Sequence, residues 1–182
     1  VELGTQINHA VELGDCTRDA IKRIQSYGIR IYAQNVLLKG VNDNAEALYC
    51  LYDGLRSLGV EAHYLFRCIP MRGMSRDRTS RDDGLALIRA LVMGGMISGR
   101  AKPTYAAMTD VGKVTLYDGV ILDRKANMVL LQTEYSVEDR QRWNPSWVPP
   151  QSVLIDDRGR IQVWYQDAFK HNEGWPTTCI ID

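Results

Sequence analysis

Lys113 follows a glycine in the run "TDVGKV" (109–114). A lysine amine that loses its proton attacks carbonyls, so this residue could hold a carbonyl cofactor as a Schiff base. An ordinary solvated lysine satisfies the same pattern. Asn8 and His9 end the stretch "TQINHA" (5–10), where they could meet a ligand at a strand end or simply enter a helix. The loop "RGMSRDRTSR" (72–81) is basic, contains Gly73 and leads into a helix start. Backbone amides at such a start can cradle phosphate, although the composition favours a solvated loop. His63 and His171 read as surface or packing residues. Trp143, Trp147, Trp164, Tyr165 and Trp175 read as packing of a C-terminal segment.

These groups hang on a strand–helix alternation. "TQINHA" is strand-like, and the spacing of Ala20, Ile21, Ile24 and Tyr27 predicts a helix over 17–27, capped by Asp15 or Thr17 and stopped by Gly28. A strand follows over 29–38. A second helix runs from a cap at Asn42 or Asn44 to about Leu58, with Ala47, Leu48, Leu51, Leu55 and Leu58 as its apolar stripe. A third strand occupies 61–69, and a third helix 79–92 starts at Thr79 or Ser80. Such repeats imply right-handed βαβ units with parallel strands. Their functional groups sit where strands end and loops begin, as the turn "GVNDN" (40–44) does.

Beyond residue 105 the pattern changes. Strands are predicted over 113–117, 120–122 and 128–131, with a hairpin inside 121–131. A polar, aromatic, Pro-rich connector spans 134–151, and a second hairpin within 152–167 turns at Asp157, Arg158 and Gly159. The chain therefore divides into an α/β part, 1–105, and a strand-rich cap, 106–182.

Lysine plus arginine number 22, as do aspartate plus glutamate, so no net field draws in nucleic acid or an acidic membrane surface. No apolar run reaches membrane-spanning length, and "VELGTQINHAVELGD" has none of the marks of a signal peptide. Cys16, Cys50, Cys68 and Cys179 lie too far apart for a close metal-ligand spacing. They read as reduced, mostly buried thiols of a cytoplasmic protein.

The segments "TQINHAVEL", "AQNVLLKGVNDN", "HYLFRCIPMRGMSRDRTS", "GLALIRAL", "SGRAKPTY" and "DVGKV" occur in an order that resembles the lysine 2,3-aminomutase family, from about residue 4 to 122. These are radical S-adenosylmethionine enzymes that also use pyridoxal phosphate. The resemblance implies the C-terminal half of a partial (βα)6 TIM-like barrel, supplying its last three βα units, followed by the cap. In the family, a 4Fe–4S cluster held by a CxxxCxxC motif cleaves S-adenosylmethionine, and the resulting radical takes a hydrogen from an amino acid. That amino acid is bound as an imine to pyridoxal phosphate, and its amino group moves to the adjacent carbon. The cofactor supplies that chemistry and the protein supplies position.

By the same resemblance, Lys113 holds pyridoxal phosphate, in a loop two residues shorter than the family's. Gln34, Asn8 and His9 match residues on the S-adenosylmethionine side, although Gln6 replaces a histidine of that pattern. Asn42 and Asp43 match a turn at the barrel mouth. Lysine-specific members bind the substrate's distal ammonium with two aspartates; here those positions are Ile69 and Met108, and Asp110 lies two residues beyond the second. An ammonium needs carboxylate partners to leave water, so L-lysine is not the expected substrate. Phe66 stands where the family carries a tyrosine. Arg67, two residues before Ile69, could share its face and favour an acidic or smaller amino acid.

No CxxxCxxC occurs in the chain, so the cluster's cysteines are expected outside it. The expected partners are an amino-acid substrate, the missing N-terminal half of the barrel and, by likeness to the family, further copies of the chain. Two alternatives stay open. One is a relative that modifies lysines of other proteins, and the other is a non-catalytic scaffold or binding descendant.

Overall fold

The computed structural model describes residues 1–93, 97, 101–117 and 119–167. His171, Trp175 and Cys179 lie outside the described residues. The first sheet has five strands in chain order: β1 (Glu2–Thr5), β2 (Arg30–Leu37), β3 (Glu61–Arg67), β4 (Thr104–Thr109) and β5 (Gly112–Thr115). The first four are mutually parallel, and β5 returns antiparallel to β4. Helices α1 (Asp15–Ser26), α2 (Ala45–Ser57) and α3 (Arg81–Met93) follow β1, β2 and β3, which makes the three βα units expected from the periodicity.

Local chemistry sets the element ends. The first strand covers 2–5 instead of 5–10, and beyond it Asn8 meets β2 through its side chain, accepting from the Val36 N–H. His9 and Glu12 form a capping box around a 3-10 turn, Ala10–Glu12. Helix α1 begins at Gly14 with no side-chain cap, so neither Asp15 nor Thr17 takes that role, and its described core contribution is Ile21. Helix α2 is capped by Asn44, whose side chain accepts from the Ala47 N–H at 2.8 Å. It buries Leu48, Leu51, Tyr52 and Leu55, each contributing about 1.5–3 kcal/mol of transfer free energy. At α3, Ser80 Oγ accepts from the Asp83 N–H at 3.1 Å.

The second sheet is antiparallel, ordered β6 (Ile121–Lys125), β7 (Met128–Ser136), β9 (Arg160–Gln166) and β8 (Val153–Ile155). Both expected hairpins are present. The connector contains a helix the composition concealed, α4 (Val137–Trp143), capped by Ser136, whose side chain accepts from the Asp139 N–H at 3.0 Å. The first sheet runs through β5, and the second begins with β6. One buried apolar cluster joins both sheets: Leu65, Leu91 and Ala107 belong to it together with Val129, Leu131, Ile161 and Val163. Trp143 departs from the expected packing role, since it is 87% exposed. Two of the three described cysteines, Cys16 and Cys50, are also exposed, and only Cys68 is buried. No helix among the described residues is long and apolar enough to cross a membrane.

Candidate functional site

Strand alternation gives the first sheet two unlike faces. Ile31, Ala33, Leu37, Leu65, Ala107 and Val114 are buried in the core. The other face carries Gln34, Tyr64, Phe66, Met108 and Lys113. Their register ties them together: Gln34 pairs with Tyr64, Phe66 with Ala106, and Met108 with Lys113. Directly opposed residues in the antiparallel β4–β5 pair share a face, which puts the Met108 side chain beside that of Lys113. Lys113 Nζ lies 4.6 Å from the centroid of the Tyr64 ring and 5.9 Å from that of Phe66. The two rings stack with centroids 5.0 Å apart, so the amine rests on an aromatic shelf. Tyr64, whose ring forms that shelf, is a site residue the sequence reading missed. The turn before Lys113 uses Gly112 at φ 114°, a conformation side chains rarely adopt.

Asn8, His9 and Asn42 are committed to the backbone. Asn8 Oδ1 accepts from the Val36 N–H at 2.7 Å, and His9 Nδ1 accepts from the Val11 N–H at 3.2 Å. Asn42, fully buried, donates through Nδ2 to the carbonyls of Asn8 (2.8 Å) and Val36 (2.9 Å) and accepts from the Leu38 N–H at 2.7 Å. The turn "GVNDN" therefore clamps the exits of β1 and β2 together. Asp43 closes it by accepting from the Gly40 N–H at 2.9 Å.

Arg67 is placed differently from expectation. It follows Phe66 on the strand, so its side chain leaves by the opposite face from Lys113. There it is 1% exposed, ion-paired with Asp167 and donating to the Thr79 carbonyl at 3.2 Å. Ile69 lies past the end of β3 and is 41% exposed, so the two share no strand face. The loop 72–81 also departs from a solvated reading at its end, where Arg78 and Arg81 are buried. Arg78 Nη2 donates to the Gln166 carbonyl at 2.6 Å, and burial, with Arg67 beside it, lowers its pKa. The Arg81 N–H donates to Asp167 Oδ1 at 3.2 Å, so a carboxylate of the chain itself sits at the start of α3. A cavity of about 1080 Å³ adjoins this cluster, lined by Lys39, Ser80, Asp82, Arg124 and Asp167 among others. Its lining charges balance, and Lys113 does not line it. Among the described residues no three histidine, cysteine or acidic side chains gather as a metal site.

No family model matches the chain. Individual relatives do. An Aquifex aeolicus protein provisionally named as an L-lysine 2,3-aminomutase is 35% identical over 151 residues, which is 79% of this chain and 40% of that protein. Glutamate 2,3-aminomutase of Clostridioides difficile is 30% identical across 73% of this chain and 32% of its own length. L-lysine 2,3-aminomutase of Methanococcus maripaludis is 32% identical across 71% of this chain and 30% of its own. The chain thus spans 40% or less of these three relatives. A solved radical SAM methyltransferase from Sphaerobacter thermophilus aligns at 18% identity and a TM-score of 0.43, covering 61% of this chain and 35% of that one, a level that carries no functional argument.

Proposed function

This chain belongs to the lysine 2,3-aminomutase family, and from that premise we propose that it forms the pyridoxal phosphate-binding part of a radical S-adenosylmethionine aminomutase. The reaction would move an amino group between adjacent carbons of an amino acid other than L-lysine. The observation that supports this best is the Lys113 amine, presented on the open sheet face over Tyr64 and Phe66, with Gln34 and Met108 on the same face. These residues fit pyridoxal phosphate: an exposed amine to hold the aldehyde and flat aromatic rings beneath it. When bound, that group would supply an electron-accepting ring conjugated to the amino nitrogen of the substrate.

The described residues do not fit a 4Fe–4S cluster. Cys16 and Cys50 are exposed on separate helices, and Cys68 is buried. The cluster and most of the S-adenosylmethionine site would come from outside the described residues. The outer edge of β1, at the end of the sheet order, supports a further parallel strand of a partial barrel beside it. Gln34 would then face S-adenosylmethionine, while Asn8 and His9 would shape the loop below it.

Substrate choice follows from charge. Met108 stands beside Lys113 and Ile69 is apolar at the rim, so neither receives an ammonium. Arg67 is turned away, so the charge that favoured an acidic substrate is absent from this face. A substrate with a small or uncharged distal end fits best. A non-catalytic descendant is the second reading, favoured by the engagement of Asn8 and His9 with backbone groups. Incubation with pyridoxal phosphate, borohydride reduction and peptide mapping separates the two. The enzyme reading predicts label on Lys113 and its loss in Lys113→Ala; equal labelling of that variant contradicts it.

A further inference from the structure

The strand bearing Lys113 is braced from outside its own sheet. Tyr135, in β7, donates its hydroxyl to the Lys113 carbonyl at 3.0 Å. Arg140, on α4, donates through Nη2 to the Val111 carbonyl, and its guanidinium stacks 3.9 Å from the centroid of the Tyr135 ring. The turn fits against this pair without a spare atom. A Cβ at Gly112 would lie 3.2 Å from both Arg140 Nη2 and Tyr135 Oη, so the absence of a side chain there serves the contact as well as the positive φ. Ser152 reaches the same turn, donating its hydroxyl to Asp110 Oδ2. Within the turn, Thr109 Oγ1 donates to the Gly112 carbonyl at 2.7 Å.

We infer that Tyr135 and Arg140 are positioning residues for the Lys113 amine, and that this is what the C-terminal segment contributes to the site. The inference rests on the reading of Lys113 as the cofactor-holding lysine. β5 is a four-residue edge strand in its sheet, and its own ladder to β4 gives it little resistance to twisting. The Lys113 carbonyl in the strand and the Val111 carbonyl in the turn before it are both held by the Tyr135–Arg140 pair. With the backbone fixed on both sides of Gly112, the side chain leaves the strand toward Tyr64 and Phe66. Loosening that hold displaces a nucleophile whose usefulness depends on its placement.

The test uses the full chain titrated with pyridoxal phosphate across pH, reading the visible absorbance of the Lys113 adduct and the borohydride-trapped fraction. Tyr135→Phe keeps the ring under Arg140 and removes one donor, so apparent affinity is expected to fall about fivefold with an unchanged unfolding midpoint. Arg140→Ala is expected to cost about tenfold, partly restored by Arg140→Lys. If Arg140→Ala does not fold, Tyr135→Phe decides alone. Variants that bind, trap and titrate like the parent chain, while the parent labels on Lys113, overturn the positioning role and leave the lysine assignment standing. A parent chain that takes no label on Lys113 overturns both.

Discussion

Lys113 and Tyr64 belong to strands that are not neighbours, yet Nζ lies 4.6 Å from the ring centroid, reaching across β4, whose Thr104 and Ala106 pair with Tyr64 and Phe66. A partly exposed cation–π contact is worth about 0.5–1 kcal/mol. Tyr64→Phe keeps the ring and is expected to change stability by less than about 0.5 kcal/mol. Tyr64→Leu also loses the stack on Phe66 and should cost about 1–2 kcal/mol in urea unfolding. A double-mutant cycle with Lys113→Met should return a coupling of about 0.5–1 kcal/mol, and a coupling of zero would remove the contact.

Asp167 joins three elements. It pairs with Arg67 at the end of β3, accepts from the Arg81 N–H at the start of α3, and donates its own N–H to the Asn127 carbonyl at 2.6 Å in the β6–β7 turn. Asp167→Asn leaves the Arg67 guanidinium buried without its counter-charge and is expected to cost about 2–4 kcal/mol. Arg67→Met removes the buried charge itself and should cost less. Urea midpoints for the two variants check the order; the reverse order would mean that the arginine's packing dominates over its charge.

Asn42→Ala removes three hydrogen bonds and strands the partner groups of Asn8, Val36 and Leu38. The expected loss is about 2–3 kcal/mol, seen as a lower thermal midpoint. Exchange protection at the Leu38 amide should fall with it. Unchanged protection there would contradict the clamp.

Burial pushes the pKa values of Tyr52, Tyr105 and Tyr165 upward. In the unfolded chain they ionise near pH 10, while in the folded chain they hold their protons to higher pH. The unfolded state therefore binds fewer protons above about pH 10, and stability, complete below that value, falls as pH rises. Tyr52→Phe should flatten this alkaline limb of the stability profile. Tyr105 Oη is buried with no hydrogen-bond partner, so Tyr105→Phe should flatten the limb too and cost little or nothing at neutral pH.

The parallel sheet was legible because its signals are local. Leu48, Leu51 and Leu55 repeat at helical spacing, and Asn44 and Ser80 mark helix starts with their own side chains. The hairpins were legible from alternation and turn residues. Helix α4 was hidden, since its Ser136 cap and acidic first turn sit in a stretch dominated by tryptophan and proline. The face of Arg67 was misread for a different reason. Alternation puts it opposite Phe66, but its pairing to Asp167 lies 100 residues away in sequence and leaves no local trace. Tyr135 and Arg140 reach Lys113 in the same nonlocal way. Lys113, Gln34 and Met108 came from the resemblance, and the strand register brings them to one face.

The most direct test of the account is where pyridoxal phosphate attaches. The protein should be incubated with it, reduced with borohydride, digested and mapped by mass spectrometry, beside Lys113→Ala treated identically. The account predicts one dominant label at Lys113, absent from the variant. Label scattered over surface lysines, or retained in full by Lys113→Ala, would contradict it.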